Sequence, residues 1–225
     1  MGKMLVLLAV LVVCPSFPVH AGALLPNPNP SGGTINVTTE TWTDFFGTYD
    51  NLGTININGP NGLINNDAFL NNSGTITNNS GGQLVNMSGD ITNKTGGILT
   101  NYGTVTHQGM GVTNESGATI GNYGTWYNTG PLTNGGTLTN YNGATFDNSN
   151  SVTNNGTLSN AGTFLNNDWS TLTNTGTLTN TGTFTNSSAA TLTNSNILTS
   201  SGTFNNSGAL DNSGTLTISS GGTFN

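Results

Sequence analysis

Arginine is absent from the chain, and two lysines stand against nine acidic residues. Lys3 belongs to the leading apolar segment, so once that leader is removed only Lys94 remains and the net charge becomes −8. Such a chain lacks the cations that neutralise phosphates and supply most nucleic-acid affinity, and an anionic membrane surface would repel it. Cysteine is nearly as scarce. Cys14 lies within the leader and follows Val13, not the small residue of a lipoprotein cleavage site. The remainder therefore has no disulfides, thiolate metal sites or cysteine catalysis. Nor is any later run apolar enough to span a bilayer.

The leader itself reads as an export signal. Lys3 gives the positive start, Met4 to Val13 the apolar run, and Val19-His20-Ala21 the small-residue end, with cleavage expected after Ala21 or Ala23. A secreted or outer-surface location follows. We divide the chain into a signal peptide at 1–21, a linker and cap at 22–51, and repeats over 52–225. Pro26, Pro28, Pro30 and the aromatic group Trp42, Phe45, Phe46 and Tyr49 mark the cap. The last residues, Gly222-Thr223-Phe224-Asn225, fall inside a repeat unit, so the array is expected to be truncated there.

What the chain has in quantity is Asn, Gly, Ser and Thr, a composition compatible with disorder. Spacing decides otherwise. From about Leu63 the unit is apolar-x-Asn-x-Gly-Thr, as in Leu172-Thr173-Asn174-Thr175-Gly176-Thr177. Steps of six, with occasional steps of seven or eight, sum over three units to roughly 20 residues. At that period the apolar residues sort into columns. One holds Leu132, Val152, Leu172, Leu192 and Leu210; the next holds Leu138, Leu158, Leu178, Leu198 and Leu216; the third is aromatic, from Trp126 through Phe146, Phe164, Phe184 and Phe204 to Phe224.

Like over like at a fixed period is the signature of a stacked repeat. Period-six residues make no helical stripe, and each Gly costs a helix about 1 kcal/mol. An antiparallel sandwich gives no reason for the columns. The expected fold is an all-β, right-handed parallel β-helix (β-solenoid) with three strands per coil of about 20 residues, the hand resting on the general rule for parallel crossovers. Alternation puts Leu inward and both flanking threonines outward. Asn two residues after each apolar residue also points inward, where stacked amides can bond from coil to coil. Gly four residues after it meets limited space and a need for positive φ.

Chemistry-bearing residues are few, and no catalytic, cofactor-binding or metal-binding set emerges. Asp147 and Asp168 occupy different column positions, which does not make a paired-carboxylate site. His107 stands where neighbouring units have Asn and is expected to replace one ladder rung. Lys94 and Glu115 match in position and should form a weak surface ion pair. Tyr102, Tyr123 and Tyr141 each fall three residues after Leu99, Ile120 and Leu138, forming an outward aromatic row: the one candidate ligand-contact row, for glycans or other cell-surface molecules, with mutual stacking as the simpler role.

Outward Thr-x-Thr pairs, at Thr137/Thr139, Thr171/Thr173, Thr177/Thr179, Thr191/Thr193 and Thr215/Thr217, resemble the flat face of ice-binding solenoids, with interruptions at Ser159, Ile197 and Asp211. The repeat as a whole resembles the β-helical passenger regions of secreted bacterial adhesins, autotransporter-like and filamentous-haemagglutinin-like, over residues 52–225. That resemblance implies a passive surface or adhesive structure, associated with the cell outer membrane, and not an enzyme. Gly59-Pro60-Asn61-Gly62 is a departed form of the Asn-Pro-Asn-Gly motif of haemagglutinin-type secretion domains, and also suits a tight turn. Ice binding and a polysaccharide-active β-helix enzyme are the alternatives.

Overall fold

Four residues make each wall of a coil. In Thr171–Asn174 the pleat sends Leu172 and Asn174 inward and Thr171 and Thr173 outward, so one apolar and one amide side chain enter the interior per strand. Neither group is satisfied by a single coil. The computed structural model describes residues 23–43 and 47–225; the expected signal peptide, Phe45 and Phe46 lie outside them.

Among the described residues every paired strand is parallel and the strands form three sheets. The first, ten-stranded, runs from Thr34–Val37 to Thr215–Ile218; the second, also ten-stranded, from Glu40–Trp42 to Thr223–Phe224; the third, nine-stranded, from Thr48–Asn51 to Ala209–Asn212. The chain visits them in rotation, three strands per coil. This is a β-solenoid of stacked repeats. Its coil length varies with the corners: Leu158 pairs with Leu178, Ile76 with Leu99, and Phe146 with Phe164.

The three apolar columns read from the period are the register of the three sheets. Phe146 pairs with Phe164 and Phe164 with Phe184, with ring centroids 4.9 and 5.0 Å apart in stacked geometry. Trp126 stacks beneath Phe146 at 5.9 Å, while Phe184, Phe204 and Phe224 meet edge to face. Burying each of Trp126, Phe146, Phe164, Phe184 and Phe204 stabilises the fold by roughly 1.5–3 kcal/mol, while Phe224 stays half exposed. The strands of the first coil, Thr34–Val37, Glu40–Trp42 and Thr48–Asn51, lie within the 22–51 segment. There Tyr49 occupies an apolar position, is buried, and donates its hydroxyl to the Pro26 carbonyl at 2.7 Å. Burial pushes that phenol up to about 12.

The inward asparagines form amide ladders. In the third sheet Asn29, Asn51, Asn72 and Asn93 pass Nδ2 to the next Oδ1 at 2.6–2.8 Å, and the series continues without a gap to Asn212. From Asn29 to Asn194 each Nδ2 also donates to a carbonyl one strand further on, as Asn174 does to Ile197 O at 2.8 Å. The first-sheet ladder begins at Asn78, above Ile57, and runs to Ser200, below Ile218.

Most corners are two residues long, usually x-Gly, and the others run from three to five. Where the short corner carries glycine it serves closeness and not dihedral freedom; Ala68, Asn150 and Asn196 take that place elsewhere. A methyl on Gly176 would collide with the Gly156 carbonyl oxygen, and one on Gly202 with that of Gly182. Among the described residues positive φ falls in the longer corners, at Gly59 in a five-residue one and at Gly81, Gly96, Gly117 and Gly143 in four-residue ones, among others. The expectation that the repeat glycine itself needs positive φ is corrected accordingly: it faces the crowded inner side, where the coil below leaves no room. Gly59-Pro60-Asn61-Gly62 is a corner too, closed by Gly62 N to Gly59 O at 3.2 Å.

Two substitutions test this construction by denaturant unfolding. Asn174→Leu strands the Asn154 donor, the Asn194 acceptor and the Ile197 carbonyl and should cost about 3 kcal/mol. Gly176→Ala forces two coils apart and should cost about 2 kcal/mol or more, whereas Thr173→Ser on the outer surface should change stability by less than about 0.5 kcal/mol.

Candidate functional surface

With the interior filled, function falls to the outward side chains and the corners. Tyr102, Tyr123 and Tyr141 stand at successive corners between the first and second sheets, because the register places Asn101 beside Asn122 and Asn122 beside Asn140. Their rings stack, with centroids 4.8 and 3.9 Å apart and planes within 17° and 7°. The row is thus assembled as the spacing suggests, but its ring faces are turned on one another. What it shows to solvent is edges and hydroxyls. A hydrogen bond with Tyr141, then burial and the neighbouring Tyr141 and Tyr102 hydroxyls, hold the Tyr123 phenol at about 12, so it carries no charge at neutral pH. Gly121, beneath the Tyr123 and Tyr141 rings, leaves them room to lie over the first sheet.

Outward threonines line up in register. On the second sheet Thr104, Thr125, Thr145, Thr163, Thr183, Thr203 and Thr223 form one unbroken column. On the third, Thr92, Thr113, Thr133, Thr153, Thr173 and Thr193 form another. The Thr-x-Thr pairs are divided between faces: those at 137, 177 and 215 lie on the first sheet, and those at 171 and 191 on the third. The columns of the sequence divide them the same way, with Leu172 and Leu192 in one and Leu138, Leu178 and Leu216 in the next. Doubled threonine rows are adjacent only at Thr171/Thr173 and Thr191/Thr193; on the first sheet Gly121, Ser159 and Ile197 intervene.

The few charged groups are tied locally. Lys94 Nζ lies 3.5 Å from Glu115 Oε1, both half exposed, and Glu115 Oε2 accepts the Thr95 N–H at 3.0 Å. Asp147 accepts from Asn167 Nδ2 and Ser149 Oγ. Asp168 accepts from Ser188 Oγ and the Ala189 N–H. Among the described residues no three of His, Cys, Asp and Glu are grouped to hold a metal ion, and no helix is long and apolar enough to cross a membrane.

His107 is a ladder rung. It pairs with Asn128 in register, its Nδ1 lies 3.0 Å from Asn86 Nδ2, and its Nε2 lies 3.0 Å from Pro131 O. The amide can only donate, so Nδ1 accepts and Nε2 carries the proton. An asparagine has two N–H groups for this position and a neutral imidazole has one. That one goes to Pro131, and the buried Asn128 Oδ1 is left without a partner. Burial pushes the imidazole below its ordinary 6.5, against the Pro131 hydrogen bond and the Asp90 charge.

Other exposed apolar residues escaped the sequence reading. Trp169 stands at a corner between the second and third sheets with 87 % of its surface exposed, and Tyr127 and Met110 also face solvent. The signal for Trp169 was available: it takes the place in a long corner that Gly96, Gly117 and Gly143 fill elsewhere.

His107→Asn should stabilise the fold by about 1 kcal/mol by satisfying Asn128. The sign with pH follows from the lowered value: the unfolded chain binds the proton first, so the parent loses stability as pH falls below about 6.5. Unfolding curves between about pH 6.5 and pH 5 should show that loss in the parent and a smaller one in the variant. No family model, curated protein or solved structure matches the chain.

Proposed function

We propose that this chain is an exported surface scaffold of adhesive character, with no catalytic role, carried to the outer face of the cell by the signal at 1–21. The observation that supports this reading best is the outer surface of the solenoid. Uncharged hydroxyl and amide groups repeat in register on flat walls, as in the second-sheet threonine column, and the core supports them at fixed spacing. Such a surface suits many weak, spatially repeated contacts, in which avidity replaces a single deep site. The tyrosine row adds an amphipathic ridge of stacked phenol rings along one corner. Glycans or other molecules of a neighbouring surface are the partners such a wall would meet.

The test is binding of the purified full-length secreted protein to glycan-coated and cell-derived surfaces, alongside a Tyr102→Ala/Tyr123→Ala/Tyr141→Ala variant checked for β-structure by circular dichroism. We expect saturable binding by the parent and at least about tenfold weaker binding by the variant. Equal binding by both removes the tyrosine row from the contact. Retention on no surface overturns the adhesive reading.

A further inference from the structure

Trp169 is the one residue other than glycine with positive φ among the described residues, at 67°. An L side chain in that region is strained, and a bulky one more so; strain of this kind persists where the surroundings impose it, and it clusters at functional sites. Burial does not account for it, since the indole is 87 % exposed. Equivalent corners use Gly96, Gly117 and Gly143, and the next coil has Ala189. Packing requires no aromatic here.

The backbone that carries the indole is fixed from three sides. The Trp169 N–H donates to Ala189 O at 3.2 Å in the coil above. The Asn167 amide reaches the coil below, donating to Asp147 Oδ1 and to Ser149 Oγ. Within the corner, the Ser170 N–H donates to Asn167 O at 3.0 Å and its buried hydroxyl donates to the same oxygen at 2.6 Å, with Asn166 Oδ1 2.9 Å from it. Asp168 is held as well, its Oδ1 accepting at 3.2 and 3.1 Å from Ser188 and Ala189. Its exposed Oδ2 has no donor among the described residues. The corner therefore presents a flat apolar plate on a rigid mount, beside a carboxylate oxygen ready to accept. Pre-organisation of this kind removes much of the ordering cost of binding.

From this geometry we infer that the Trp169 corner is a binding subsite for a neutral saccharide, one pyranose ring stacking its C–H face on the indole and donating a hydroxyl proton to Asp168 Oδ2. A pyranose combines an apolar face with hydroxyl donors on its rim, the two features this corner answers. A quaternary ammonium ion would be enclosed by several aromatic rings, and here a single one stands in the open. The neighbouring Asp147 and Asp168 carboxylates disfavour acidic sugars. The tyrosine row differs: Tyr123 has both ring faces against its neighbours, and Tyr102 and Tyr141 one each, whereas the Trp169 indole is 87 % exposed. The inference extends the proposed adhesive role, and does not depend on the tyrosine row.

The test titrates the full-length secreted protein with neutral hexasaccharides of β-1,4-glucose, β-1,3-glucose, α-1,4-glucose and β-1,4-mannose, and with tetramethylammonium, reading calorimetry and tryptophan emission. Trp126 is buried in the core column and Trp42 is half-buried in the first coil, so the difference between the parent and Trp169→Gly emission changes reports on the Trp169 indole. At least one hexasaccharide should bind saturably and shift the emission to shorter wavelength. Trp169→Gly should weaken that binding by at least about tenfold and leave the melting temperature unchanged or raised, because glycine adopts this φ without strain. Trp169→Tyr should retain part of the affinity, and Asp168→Asn should weaken it less than loss of the ring.

Saturation by none of the saccharides, or by tetramethylammonium alone, overturns the inference, as does equal saccharide binding by Trp169→Gly. A lowered melting temperature of that variant would make the indole a packing residue and overturn it too. Failure here with continued retention on cell-derived surfaces leaves the adhesive scaffold standing without this subsite; loss of both falls on the scaffold reading itself.

Discussion

Coil is joined to coil by the amide of an inward-facing asparagine, which donates to the next asparagine above and to a carbonyl one strand beyond. A corner turned this tightly brings carbonyl groups into a dry interior, where an unpaired one costs about 1–3 kcal/mol. Asparagine meets the need because its side chain both donates and accepts, so each rung fulfils the one below and asks the same of the one above. The glycine of the short corner follows from the same crowding, since the path that exposes the carbonyl to the amide leaves no room for a methyl group. Threonine on the outside then costs nothing in packing and favours the extended backbone.

The hydrophobic columns supply the driving force but little of the specificity. Leucine, valine and isoleucine exchange freely along the third sheet, from Ile91 through Val112 to Leu132. The ladder admits far less, and its substitutions are informative: Ser200 closes a rung through its hydroxyl, while His107 closes half of one. Because contacts run only between neighbouring coils, stability grows with each added turn and no turn stands alone.

Much of this architecture was legible before any coordinate. Leu172, Leu178 and Phe184 sort into separate columns because a fixed number of strands per coil turns a period into a register, and the asparagine two places on shares their face by the alternation of the strand. His107 was readable as a rung for the same reason, and the tyrosine row from its constant offset. The first coil was harder to see, since Val37 and Ile57 stand where asparagine stands later and Tyr49 where leucine does. The same columns divide the threonine pairs between faces, those around Leu172 and Leu192 on one sheet and those around Leu138, Leu178 and Leu216 on another. Trp169 was overlooked because a single aromatic breaks no periodicity, although its place in a long corner, where Gly96, Gly117 and Gly143 stand elsewhere, was readable; the backbone dihedral adds that the conformation is one glycine favours.

The ladders also have a sense of direction. In all three sheets the carboxamide N–H groups point toward the C-terminal coils and the carbonyls toward the N-terminal ones. A peptide amide has a dipole of about 3.5 D, and a carboxamide is its close chemical analogue. Aligned head to tail, these moments add, whereas the strands run across the axis and their backbone dipoles largely cancel. The tube is accordingly an electret built from side chains, with its positive pole at the C-terminal coils, the reverse of an α-helix.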